Sequence, residues 1–131
     1  MNRAPELIPL SHDHHQALFV ALQLRRATLA TLPAALAGLQ RFWEGGGAAH
    51  FEAEEAWFVP GLSDAPGWDE AVARMLREHE DLRARIATVT ELDEAVALGE
   101  RLRDHVRFEE RELFGMVEAT LREADRVPRT A

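Results

Sequence analysis

Apolar residues recur every three or four positions through almost the whole chain, the period of an amphipathic helix rather than of a strand. Strand signals are scarce: tyrosine is absent, and apolar and polar residues hardly alternate. The pattern predicts four helices. The first spans about Ser11 to Ala30, with Leu18, Leu22 and Leu29 on its apolar stripe. Leu32–Pro33 breaks it, and Pro33 suits the opening turn of a second helix over about Pro33 to Val59, with Leu36, Leu39 and Trp43 facing inward. Gly45, Gly46 and Gly47 interrupt this helix, each at roughly 1 kcal/mol relative to alanine. They predict a kink, or else a place where helices approach closely or a pocket opens.

Pro60–Gly61 ends the second helix, and residues 60–67 read as the longest turn. The third helix spans about Trp68 to Val89, with Val72, Leu76, Leu82, Ile86 and Val89 inward. Thr90 is the expected N-cap of the fourth, with Asp93 completing an approximate capping box. That helix runs over about 91–124, and residues 125–131 are expected to be loose. Short connections between four helices predict an all-α, antiparallel up-down-up-down four-helix bundle, one domain over 1–131. Trp43, Trp57 and Trp68 are expected in its core, with Trp57 close enough to Glu54 to line a pocket as well.

The charge balance narrows the partners. Fifteen basic against 23 acidic residues give a net charge of −8. Nucleic acid and anionic membrane surfaces both need a basic face, so neither is expected. The chain has no cysteine, which excludes disulfides, thiolate metal sites and cysteine nucleophiles. Any metal must be held by His, Asp or Glu, a donor set suited to iron, manganese or zinc. Met1 to Pro9 carries no long apolar run, so neither a leader nor a membrane span is expected there, and the cytoplasm is the expected location. No Gly-rich phosphate loop or serine triad is present, and no catalytic residue is assigned.

Polar residues stand where the helices should be buried. His15 lies three and seven positions before Leu18 and Leu22; His79 lies three and seven before Leu82 and Ile86. His105 follows Leu102 by three, and His50 sits seven from both Trp43 and Trp57. Each helix thus carries one histidine on its inner face. Glu54 follows His50 by four and Glu109 follows His105 by four, a spacing that puts each pair side by side on one face. A buried carboxylate is costly without a partner, and a bound cation supplies one. The two halves also repeat: His50-Phe51-Glu52-Ala53-Glu54-Glu55 parallels His105-Val106-Arg107-Phe108-Glu109-Glu110, each after a helix with a single inward histidine. Two such hairpins facing each other offer two similar metal positions.

These residues carry a resemblance. Leu10-Ser11-His12-Asp13-His14-His15, His50-Phe51-x-x-Glu54-Glu55, Glu78-His79-x-x-Leu82 and His105-x-x-x-Glu109-Glu110-x-x-Leu113-Phe114, in this order, resemble the hemerythrin-like, or HHE cation-binding, family from about Leu10 to Glu118. The resemblance implies a non-haem di-iron centre, bridged by carboxylates and an oxo or hydroxo group. It implies His50, Glu54, His79, His105 and Glu109 as ligands, with Glu54 and Glu109 as bridges. The first helix offers a choice: apolar spacing favours His15, whereas the family's acid-then-histidine signature favours His14 after Asp13. The two side chains are about 100° apart on a helix. His12 is expected at the surface.

Oxygen-carrying hemerythrins have two histidines one turn apart in the third helix; here the neighbours of His79 at that spacing are Met75 and Arg83. The vacancy is open for O₂ or water, or is filled by His14 or a glutamate such as Glu55. The resemblance implies a protein that binds O₂ or a related small oxidant, for carriage, sensing or iron and oxygen homeostasis. The alternatives are a di-iron oxidative enzyme (ferroxidase, peroxidase-like or nitric-oxide-handling), a mononuclear or zinc site, or a metal-free structural bundle. The Glu-x-x-His motif of carboxylate-rich di-iron bundles is not the pattern here, which weighs against the enzyme. No protein partner is indicated.

Overall fold

The computed structural model describes residues 4–61 and 65–126. After a short 3₁₀ turn at Pro5–Leu7, the chain forms α1 (Ile8–Arg25), α2 (Leu32–Phe42), α3 (Ala48–Phe58), α4 (Trp68–Thr88), α5 (Leu92–Phe108) and α6 (Phe114–Arg126). π turns at Trp43–Gly47 and Glu109–Leu113 join α2 to α3 and α5 to α6. The result is four rods, α1, α2–α3, α4 and α5–α6, in the expected antiparallel bundle. Part of the expected 60–67 turn and most of the expected loose tail lie outside the described residues.

Two helix boundaries differ from expectation. α1 ends at Arg25 rather than near Ala30, because Thr28 and Thr31 close a turn of their own: the Thr28 N–H donates to Thr31 Oγ1 at 2.8 Å. The N-cap of α5 is Glu91 and not Thr90. Glu94, rather than Asp93, closes the capping box, taking the Glu91 N–H at 2.9 Å. A glutamate reaches back across a helical turn where the shorter aspartate does not.

The apolar stripe of α1 also differs. Leu18 and Leu29 are exposed, and the buried line is His14, Ala17, Val20, Ala21 and Leu24. The larger residues lost because α1 runs close against α5. A Cβ placed on Gly99 would lie 2.7 Å from the Ala21 carbonyl oxygen and 2.9 Å from the Arg25 amide nitrogen. Only small residues fit this seam, and Ala21 and Ala95 are fully buried at it.

The glycine run has two separable roles. Gly46 adopts φ 157°, ψ −19°, a conformation open to glycine. Gly47 leaves room for the Phe42 ring, which would stand 2.8 Å from an added Cβ. The expected kink is therefore a π turn, a widened helical turn that shifts the register of the helix beyond it.

The core is split in two. One apolar cluster holds Leu24, Leu39, Phe51, Leu82, Ile86, Leu98 and Leu102, with Leu36 and Trp43 against it. The other holds Leu7, Phe58, Trp68, Val72, Met75, Phe108, Leu113 and Phe114, with Trp57 against it. Along each rod, the inward histidine falls between residues of the first cluster and residues of the second. The polar groups thus form a slab between two greasy ends.

The seam gives a stability test with an unusual sign. Alanine normally favours a helix over glycine by about 1 kcal/mol. Gly99→Ala should nevertheless destabilise the bundle, because overpacking against backbone costs about 1–3 kcal/mol. Gly38→Ala, whose Cβ would meet nothing nearer than Arg41 Nη2 at 3.8 Å, should stabilise it. Urea denaturation of both variants measures this, and a more stable Gly99→Ala would refute the close approach.

Candidate metal centre

Inside the slab, Glu54 and Glu109 are completely buried, and four imidazoles surround them. His14 Nε2 lies 2.9 Å from Glu109 Oε1 and 3.3 Å from Glu54 Oε2. His79 Nε2 lies 3.1 Å from Glu54 Oε1 and 3.5 Å from Glu109 Oε2. His50 Nε2 and His105 Nε2 lie 3.2 Å and 3.3 Å from the glutamate one turn further along their own helices. Each Nε2 points at the carboxylate pair.

The outer nitrogens are held just as regularly. A carboxylate can only accept, so each Nδ1 carries a proton and donates it. His14 donates to Glu110 at 3.0 Å, His50 to Asp13 at 3.0 Å, His79 to Glu55 at 2.8 Å and His105 to Glu78 at 2.7 Å. Three of these acids are held in turn. Ser11 Oγ donates to Glu110 at 2.6 Å, Arg83 to Glu55 at 2.7 Å and Arg74 to Glu78 at 2.8 Å. Such outer partners orient a ligating ring and fix which nitrogen keeps its proton.

Two aromatic faces complete the walls. Phe51 stacks on His79 with centroids 4.1 Å apart, and Phe114 stacks on His14 at 5.2 Å.

Of the expected residues, His14, His50, Glu54, His79, His105 and Glu109 come together and His15 does not. His15 is exposed, as is His12. Leucines at 18 and 22 suggested His15; the alanine seam turns α1 so that His14 faces inward. Met75 is fully buried in apolar surroundings, and Arg83 pairs with Glu55. Glu55 binds the back of His79 rather than the centre, whereas His14 reaches the centre itself.

Asp13, Glu78 and Glu110 were not expected as ring partners. A signal for them existed: an acid stands next to a central residue in Asp13-His14, Glu54-Glu55, Glu78-His79 and Glu109-Glu110. Phe51 and Phe114 stood in the matched motifs, but nothing in their spacing marked them as covers for the rings of His79 and His14.

A family model for the hemerythrin HHE cation-binding domain matches residues 7–117. The chain belongs to the hemerythrin HHE cation-binding family. No curated protein and no solved structure matches it in the same comparisons.

Membership in a cation-binding family fits the donors of this hemerythrin-like bundle. His14, His50, Glu54 and Glu109 offer ligand atoms all within 4.8 Å of one another, and so do Glu54, His79, His105 and Glu109. His50 Nε2, His105 Nε2, Glu54 Oε2 and Glu109 Oε2 are buried without a hydrogen-bond partner. Four orphaned atoms around one carboxylate pair is a large penalty for a core, and cations held by the two sets would satisfy all four. Among the described residues no helix is long and apolar enough to cross a membrane.

Without a cation, protons hold the hemerythrin-like centre together. Burial pushes His14 down, but hydrogen bonds to Glu109, Glu110 and Glu54 outweigh it and raise the ring to about 11. By the same opposition His105 rises to about 10, chiefly through the charge of Glu109, and His79 to about 9 through its bonds to Glu109 and Glu54. His50 is raised as well, through Glu54. Burial alone would raise Glu109, but His105 above all holds it well below the usual carboxylate range.

The pH dependence of the chelator-treated chain's stability is set by these signs. A raised histidine contributes fully below its ordinary 6.5 and loses its contribution as pH climbs through the folded values of about 9 to 11. Glu109 contributes above its ordinary 4.5 and loses its contribution as pH falls below it. The melting temperature should therefore be highest between about 4.5 and 6.5 and decline steadily above that. A flat melting temperature from pH 6.5 to 9 would contradict this proton clamp.

Proposed function

We propose that the chain is a non-haem di-iron protein that binds O₂ or a related small oxidant. His14 and His50 would hold one ion and His79 and His105 the other through their Nε2 atoms, with Glu54 and Glu109 bridging. The observation that carries this reading is that both four-residue sets contain the same two carboxylates. Shared carboxylates offset the repulsion between neighbouring cations. Reduced iron supplies the electrons that O₂ binding requires.

The protein's own part is to orient, to exclude water and to manage protons. Glu110, Asp13, Glu55 and Glu78 keep the Nδ1 protons in place, so every Nε2 is free to ligate once it loses its own proton. Apolar clusters close both ends of the slab. Four protein residues per ion leave room for a small external ligand. One observation favours the second reading, an oxidative enzyme: Met75 and Arg83 rather than a histidine stand one turn from His79, and each four-residue set has as many carboxylates as imidazoles.

Anaerobic loading with ferrous iron, followed by metal counting, tests the centre. Two irons per chain are expected for the unaltered protein and for His15→Ala. His14→Ala, Glu54→Ala and Glu109→Ala should each lose paired binding while far-ultraviolet dichroism stays helical. Glu78→Gln should weaken metal affinity by about 10–100-fold, as for other partners of ligating histidines. Full metal content in Glu54→Ala and Glu109→Ala together would refute the bridges. On adding O₂, a reversible visible spectrum supports carriage or sensing, and turnover with irreversible oxidation supports the enzyme.

Loading should also release protons, because ligation needs neutral imidazole. At pH 6, where all four rings are protonated, close to four protons should leave for two ions bound, as counted with a pH indicator in weak buffer. Release near zero would show that the Nε2 atoms do not ligate.

A further inference from the structure

The shift that lays His50 on His105 and Glu54 on Glu109 also lays Ala53 on Phe108, Ala49 on Asp104 and Gly45 on Glu100. The ligand sets match across this shift, and their surroundings do not. Next to the π turn of the first half lies a hollow of about 430 Å³, lined by Gly45, Gly46, Ala49 and Ala53 and reaching His50 and Asp13. Its counterpart, of about 390 Å³, is lined by Arg74, Arg107, Arg111, Asp104, Glu112 and Phe108 and does not reach His105. The Phe108 ring, buried under the Arg74 guanidinium at 4.0 Å, blocks the way.

Charge separates the two hollows, which are similar in volume. Among the described residues the first is lined by a single acid, Asp13, whose carboxylate is half exposed and accepts from His50 Nδ1. Three arginines against two acids line the second. The surplus arginine charge opposes the approach of a cation, so the second hollow is the poorer route. His50 is also the most accessible of the four rings, and its Nε2 is one of the orphaned atoms.

We propose that the glycine-lined hollow is the route by which divalent metal ions enter and leave the centre, with Asp13 and His50 as the entry pair. The glycines and alanines matter by being small: a Cβ on Gly45 would meet nothing within 4 Å, so the space there is open. The route rests on the metal centre proposed above, and its readout is metal uptake alone.

Cobalt(II) is added to metal-free protein and uptake is followed by stopped-flow visible absorbance, with the final stoichiometry counted. Ala53→Phe copies the plug of the second half at an exposed position. It should slow uptake at least about tenfold, and slow release to a chelator equally, with the stoichiometry unchanged. Phe108→Ala, which unplugs the arginine-lined side, should change the uptake rate less than about twofold. If Ala53→Phe lowers the stoichiometry, Gly45→Phe, further from the ligands, decides the matter by the same criterion. Parental uptake rates in the filled variants, or a large acceleration in Phe108→Ala, would overturn the route while leaving the centre intact. No cobalt bound by the unaltered chain would overturn the centre and the route together.

Discussion

Two carboxylates lie at the middle of this bundle with no access to water, and the rest of the structure answers to them. Glu54 and Glu109 face each other across the slab, each within 3.5 Å of at least two imidazole nitrogens. Among the described residues six acids touch the four imidazoles, this pair with Asp13, Glu55, Glu78 and Glu110. The protonated imidazoles set positive charge against them, and Arg74 and Arg83 back two of the outer acids. Two divalent cations replacing the four Nε2 protons leave that balance unchanged. The site can therefore pass between a protonated and a metal-loaded state without changing the charge it buries, a change that a low-dielectric interior strongly opposes.

The need to orient each ring explains the outer acids, which a ligand count alone would not. A ring with only a metal on one side would keep its rotational freedom and its choice of tautomer. Here each Nδ1 proton is fixed by an acid, and three of the acids are fixed by Ser11, Arg83 or Arg74. The pairing alternates across the molecule. Asp13 and Glu78 serve the histidine of the next rod in their own half, whereas Glu55 and Glu110 serve the histidine of the other half. The two hairpins are thereby tied together by their outer hydrogen bonds as well as by the shared carboxylates.

The bundle and five of the six central residues were legible because helical period and i,i+4 spacing survive translation into sequence. The sixth was ambiguous for a physical reason. Leucine counts mark the apolar face only when helices pack at ordinary distance; where Gly99 and Ala21 bring α1 and α5 into backbone contact, alanines mark it instead. His14 and His15 then exchange places. The π turns were hidden for a similar reason. The one at Glu109–Leu113 has no glycine or proline to betray it, yet its extra residue of register lets Glu109, Leu113 and Phe114 all be buried. Helical stripes drawn at constant pitch cannot express that. The glycines at 45–47 did announce a break, though not that Gly46 serves the backbone and Gly47 serves the Phe42 ring.

Near-symmetry of the ligands places any difference between the two positions in what surrounds them. Both offer two imidazoles and the same two carboxylates, and with Met75 and Arg83 rather than a histidine one turn from His79 neither gains an extra protein donor. The walls differ instead. Phe51 lies flat against His79 at 4.1 Å, while the equivalent residue of the other half is the smaller Val106. Phe114 covers His14, where the shift of repeat brings Val59, an exposed residue. Each half thus lacks a different part of the lining: the two hairpins share their donors and differ in access, packing and local charge. Donors are constrained by the shared centre they face; linings are constrained only by packing, so they are where the two positions can acquire separate properties.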